Sequence, residues 1–170
     1  MTTQSNAEFS AETFKAALRH LASGVSLITT RDAAGAPLGM LATAVSSVTA
    51  EPPTILICIN HTATMHAALM ESRKFCGNFL AIGNNAVAQR FTGAIPREER
   101  FAEGDWEVLA SGAPVLSDAH AAMDCEIAEI TEMGSHSVIF GRVLAAKVAE
   151  SAASEPLVFH NRAYGRFTAL

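Results

Sequence analysis

Residues 38–60, LGMLATAVSSVTAEPPTILICIN, decide the reading of this chain. An apolar strand begins near Leu38, passes into small and hydroxylated residues, stops at Glu51-Pro52-Pro53 and resumes as the isoleucine-rich stretch 54–59. Proline cannot donate to a ladder, so the first strand ends there, and the second, short and apolar, reads as a buried central strand. Small side chains at Ala42, Thr43, Ala44, Ser46 and Ser47 would let a flat ligand approach the backbone, leaving main-chain N–H groups and hydroxyls to bond it. The alternative for such a stretch is ordinary sheet.

Working outward, a helix is expected over 9–21, where Phe9, Phe14, Ala17, Leu18 and Leu21 follow a 3.6-residue period and Gly24 stands beyond the end. The β-branched run 25–30 and the turn-like RDAAGAP at 31–37 make a hairpin with the strand from Leu38. Thr62 and Thr64 precede an Ala/Leu/Met segment that suits a short helix. A strand over 75–82, a short helix over 85–91 and an exposed loop over 92–105, anchored by Phe101 and Trp106, come next. Residues 122–131 and 137–148 read as long strands around Gly134, and 157–159 as a last strand. Strands outnumber helices, and the helices are too few for regular βαβ crossovers. The expected fold is mainly β: one antiparallel, closed or nearly closed barrel with a few short helices, a single domain over 1–170.

Composition narrows the function. The chain has 170 residues, 49% of them hydrophobic, enough for a substantial core, and a formal net charge of −5. No run of Lys or Arg could track a phosphate backbone, which excludes nucleic acid as a partner. The first residues, MTTQSNAEFSAE, lack a leader pattern and no apolar run reaches membrane-spanning length, so no membrane association is expected and a cytoplasmic protein is. Cys58, Cys76 and Cys125 are far apart and odd in number, which reads as small buried hydrophobes in a reducing compartment. His61 and His66 are five residues apart, and His20, His120 and His160 have no ligand-type neighbours at useful spacing, so no metal site is expected.

There is no GxGxxG after a strand, no GxxxxGK[ST], no GxSxG, no HExxH and no CxxC. Two features remain open. Thr62 and Thr64 either cap a helix or offer hydroxyls and N–H groups to an anion. His136, in the turn Gly134-Ser135-His136-Ser137, is either a surface turn residue or a ligand contact.

In order along residues 12–167, LASGVSLITT, LGMLATAVSSVTAEPPTILICIN, HTATM, KFCGNFL, QRFTG, EERF, GSH and PLVFHNRAYG resemble the short flavin reductases built on the FMN-binding split barrel, a Greek-key antiparallel barrel. That family includes the reductase components of two-component flavin monooxygenases. The resemblance implies that Met40, Leu41, Ala42, Thr43, Ala44, Ser46 and Ser47 lie along the isoalloxazine ring of FMN or FAD. It implies that the segment Asn60, His61, Thr62 and Thr64 receives the ribityl phosphate end, that Asn78 lies near the ring or ribityl chain, and that Arg90 and Phe91 border the phosphate side. His136 would meet the nicotinamide donor, and Arg162 with Tyr164 would help close the site. Gly77, where a β-branched residue is usual, and His61 and His66 depart from the family pattern.

The implied reaction is hydride transfer from NAD(P)H to flavin, with NADH favoured over NADPH because few basic residues are evident at the rim. Reduced flavin would pass to a partner monooxygenase. A homodimer is implied as well. The rival expectation is a non-catalytic flavin-binding or assembly protein on the same barrel.

Overall fold

The structure is a computed structural model and describes residues 10–149 and 155–169. The chain opens with helix α1 (Ala11–Leu18), started by Ser10, whose side chain accepts the Thr13 N–H. The helix ends three residues before the expected boundary, residues 19–21 continuing only as turns, and Phe9 lies outside the described residues. No α1 side chain is buried: Phe14, Leu18 and the following Leu21 are exposed.

The strands that follow are β1 (Ser23–Gly24), β2 (Ser26–Arg31), β3 (Pro37–Ala42), β4 (Val45–Ala50) and β5 (Pro53–Asn60), then helix α2 (His66–Ser72) and β6 (Lys74–Phe79). Helix α3 (Asn85–Arg90) leads to β7 (Trp106–Val108) and β8 (Pro114–Leu116), two short strands that sequence reasoning did not mark. The long hairpin β9 (Ala121–Met133) and β10 (His136–Val148) follows, and β11 (Leu157–His160) and β12 (Ala163–Arg166) close the chain.

Seven strands form one antiparallel sheet in the order β3-β2-β6-β9-β10-β5-β4. Its two edge strands, β3 and β4, are consecutive in the sequence and joined only by Thr43 and Ala44. From Ala42 to Val45 the chain reaches at most about 10 Å, so the sheet has to curl until its edges nearly meet. No ladder pairs β3 with β4, and the barrel is therefore split along that line. The single strand expected over 38–50 is in fact these two strands. The stretch expected to be central, β5, is one place from the edge, between β10 and β4.

Alternation places Ile55, Ile57 and Ile59 of β5 inside the curl with Ile28, Phe75, Ile139 and, from α2, Leu69. Burying each such side chain stabilises the fold by about 1.5–3 kcal/mol. A second core, with Val25, Leu27, Leu80, Val87, Phe91 and Leu116, packs on the outer face beneath α3. Leu27 and Ile28 point to opposite cores, so β2 is covered on both faces. The loop over 92–105 is anchored by Phe101 and Trp106, whose rings are 4.7 Å apart. Gly77 pairs on both sides, with Ile28 and Met123, and does not interrupt β6.

All three cysteines are free; Cys76 and Cys125 are buried and Cys58 half-buried. Burial, then the neighbouring Asp124 carboxylate, pushes the Cys76 thiol up and Cys125 up to about 12, which makes both inert. Asp124 itself is buried and accepts the Ser111 N–H at 2.6 Å and the Ser111 hydroxyl, fastening the loop before β8 to β9. Among the described residues no helix is long and apolar enough to cross a membrane and no group of metal-ligating side chains occurs.

Candidate functional site

Clefts open along the break between β3 and β4. Three adjoining clefts of about 350, 200 and 490 Å³ all have Thr43 in their walls. One runs toward α1 and the β11–β12 turn, past Phe159 and Arg162. The second is walled by Val25, Leu41, Ala42 and Tyr164. The third lies between β1 and β4, along Ser23, Ser46 and Ser47. Thr43, Ala44, Ser46 and Ser47 are exposed.

This geometry follows from the local sequence. Alanine, serine and threonine leave the backbone uncovered, and each edge strand presents one row of main-chain donors and acceptors that the sheet does not use. A planar heterocycle with carbonyl and ring N–H groups fits such a floor. Phe159 and Tyr164, with ring centroids 5.4 Å apart, supply an aromatic wall. The residues present therefore fit an isoalloxazine ring.

The structure separates the other expected residues. Met40 packs against the interior core, whereas Leu41, Ala42, Thr43, Ala44, Ser46, Ser47, Arg162 and Tyr164 are brought together at the groove. Asn60, His61, Thr62 and Thr64 lie beyond the end of β5. The Cys58 N–H donates to the Ala44 carbonyl at 3.1 Å, so Asn60 stands about 7 Å along the strand from Ala44. His136 is opposite Asn60 in the β5–β10 register, with its Nδ1 3.0 Å from the Ser135 hydroxyl. This second group flanks the break without lining the clefts.

Thr62 and Thr64 do not cap α2, whose N-cap is Met65 with no side-chain bond. Instead the Asn60 carboxamide oxygen accepts the Thr62 N–H at 2.9 Å and the Thr62 hydroxyl at 2.8 Å, closing a local turn. His61 and His66 join a network that the sequence did not reveal. The Glu132 carboxylate is 2.6 Å from His61 Nε2 and accepts the Ser137 hydroxyl, which in turn lies 2.8 Å from His66 Nε2. The hydrogen bond from His61, followed by that from Ser137, holds the Glu132 carboxyl below the usual range. The turn at 132–137 is thereby tied to the segment 61–66.

Three of the expected residues have their side chains engaged within the fold. Asn78 is fully buried: its amide donates to the Leu27 carbonyl at 3.0 Å and to Thr29 Oγ1, and its oxygen accepts the Leu116 N–H at 2.8 Å. It locks β8 onto β2 and β6 and has no atom free for a ligand. Arg90 uses its guanidinium to hold the loop after α3, donating to the Glu99 and Arg100 carbonyls and to Glu103 Oε1. Phe91 is buried in the outer core. The Asn78→Ala variant is expected to lose about 3 kcal/mol, because it strands buried backbone partners; urea unfolding followed by circular dichroism checks this.

A curled antiparallel sheet split between consecutive strands, with a small-residue floor and an aromatic wall at the split, defines a split-barrel flavin-binding domain. The chain belongs to the flavin reductase like domain family, whose profile matches residues 18–168. It is 42% identical over 162 residues to the FMN reductase (NADH) RutF of Methylorubrum populi, covering 95% of this chain and 79% of that protein. Among solved structures it is similar to the NADH:FAD oxidoreductase SgcE6 of Streptomyces globisporus, with a TM-score of 0.86 at 27% identity over 99% of this chain and all of that one. It is also similar to BorF, the flavin reductase component of a bacterial two-component tryptophan halogenase, with a TM-score of 0.83 at 27% identity over 95% of this chain and all of that one.

Proposed function

We propose that the protein is an NADH-dependent reductase of free flavin, FMN first, whose product is handed to a separate flavin-dependent monooxygenase. The observation that carries this reading is the groove at the β3–β4 break, with Thr43 and Ala44 exposed in its floor. A floor made of small side chains and edge backbone holds a ring loosely and leaves one face accessible, which suits a flavin that arrives, accepts electrons and leaves. When bound, the flavin supplies the hydride acceptor; the protein has only to stack and orient the rings and needs no nucleophile.

Ser46, Ser47 and the main chain at 42–44 bind the ring edge in this reading, and Tyr164 and Phe159 flank it. The segment Asn60–Thr64 takes the phosphate end, with Thr64 as an available hydroxyl. His136 orients the nicotinamide. His136→Ala is expected to raise the KM for NADH about tenfold with kcat little changed; steady-state kinetics check it, and lost hydride transfer at unchanged KM would exclude an orienting role.

Two further parts of the reading rest on the surface and the thiols. The free edge of β4, with exposed Val48 on that strand and Leu144 and Val148 on β10, supports a homodimer, tested by sedimentation. The three free thiols suit the cytoplasm.

The deciding experiment is NADH oxidation by apoprotein with and without FMN, FAD or riboflavin, followed by absorbance. Turnover that saturates with free flavin supports the reductase. Flavin binding with no turnover from NADH or NADPH overturns it and leaves a non-catalytic flavin-binding protein.

A further inference from the structure

We propose that the corner between α1 and the β11–β12 turn binds the diphosphate of NADH, in its ADP half, with Arg19 and Arg162 as its anion receptors. The proposal rests on the flavin-reductase reading and extends its groove by one subsite.

Pairing of the arginines singles out this corner. The chain has nine. Arg31, Arg73, Arg90 and Arg100 donate to backbone carbonyls, and Arg97, Arg142 and Arg166 pair with Asp32, Glu126 and Glu155. Among the described residues Arg19 and Arg162 alone have no side-chain partner, and both line the same cleft of about 350 Å³. Lys15 lines it too, and the acid beside it, Glu12, is 3.4 Å from the Lys15 ammonium. A chain of net charge −5 thus concentrates three cations around one concavity. Unpaired guanidinium groups in a cleft suit the planar, multi-oxygen recognition of phosphate.

The backbone holds the two arginines together. The Arg19 carbonyl accepts the Asn161 N–H at 2.9 Å, and the His20 and His160 rings meet edge to face at 6.4 Å. The negative end of the α1 dipole draws cationic side chains to this corner, and the Lys15, Ala17 and Leu18 carbonyls there accept the Arg19, His20 and Leu21 N–H groups. Asn161 and Arg162 form a two-residue turn with φ of 47° and 66°. Glycine is the ordinary second residue of such a turn, and arginine there costs about 1 kcal/mol. The strained position fixes the start of the Arg162 side chain over the cleft. Leu18, Leu21 and Phe159 give the same cleft an apolar wall on which a purine could rest, and Thr43 joins it to the flavin floor. The rim that the sequence left short of basic residues is supplied by segments 143 positions apart, Arg19 and Arg162.

The test uses ADP as a calorimetric probe and kinetics with four substrates. ADP is expected to bind the wild-type protein, more weakly at high salt, and to compete with NADH but not with riboflavin. Arg19→Gln is expected to weaken ADP binding about tenfold and to raise the KM for NADH by a similar factor. The KM values for riboflavin and for reduced nicotinamide mononucleotide should not change, and Arg19→Lys should recover part of the loss. Competition with FAD that leaves the KM for NADH unchanged overturns the proposal, because the diphosphate of FAD begins at the ribityl phosphate, which the flavin reading places at Asn60–Thr64. ADP binding that is absent, or unaltered by Arg19→Gln in a variant of wild-type melting temperature, overturns the proposal while leaving flavin reduction intact. Failure of the reductase reading would show separately, as absent turnover in the wild type.

Discussion

Gly141→Ala should be destabilised by about 3 kcal/mol, a large loss for one methyl group. Gly141 lies on β10 at the register shift after Phe140, paired with Ile127 on one side and Ile55 on the other. A Cβ there would sit 2.4 Å from Phe75 Cζ, 2.6 Å from Phe75 Cε1 and 3.0 Å from Cys125 Cβ. Phe75 is fully buried, enclosed by the interior core, and cannot swing into solvent. The ring or the β10 backbone must move, and close-packed interiors resist both. Gly77→Ala is the matched control: it too is buried, but its nearest neighbours, Ile28 Cδ1 and Ile55 Cδ1, are 3.8 Å away. That change should be neutral or stabilise by up to about 1 kcal/mol through the unfolded chain. Urea unfolding of the pair, with the midpoints compared at constant slope, measures both. Equal midpoints for Gly141→Ala and wild type would mean that Phe75 has an alternative place in the core.

Thr43→Trp should reduce kcat/KM for flavin by about a hundredfold or more, since misplacing a reacting ring by about 1 Å already costs that much. Thr43 is the residue common to all three clefts, so an indole there would occupy the meeting point. Its side chain is exposed and the residue belongs to neither ladder, so stability should stay within about 0.5 kcal/mol of wild type. Thr43→Ser should retain most activity, because it keeps the hydroxyl and opens space. Initial rates over a flavin series, with melting temperatures in parallel, check the prediction. Unimpaired turnover in Thr43→Trp would move the ring away from the split and toward His136.

Much of the sheet was legible because its signals are local. The isoleucines at 55, 57 and 59 alternate in the sequence as they alternate in the strand, and Gly134 marks the turn between the two longest strands. The break at Thr43 was illegible for the opposite reason: Ala-Thr-Ala contains no turn residue, and only the meeting of two distant sheet edges bends the chain there. The β11–β12 turn was hidden by Arg162, a residue that gives no hairpin signal where glycine would have. At the site, the small-residue floor could be read from composition, but Asn78 and Arg90 could not be placed. Nothing in their immediate sequence reveals that the Leu116 amide and the loop after α3 claim their polar groups. The unpaired state of Arg19 was equally invisible, since it depends on where every carboxylate lies.

The strand order also dictates when the ligand floor can exist during synthesis. β3-β2-β6 and β5-β4 form two separate ladders, and only the β9–β10 hairpin bridges them. Until residue 148 has emerged from the ribosome, β6 and β5 each expose an edge that the finished sheet covers, and such edges recruit other chains. Thr43 and Ala44 are translated early, yet the surface they form is completed only when that hairpin docks. A nascent chain arrested before β10 would therefore carry the residues of the floor without its shape and would need protection from aggregation.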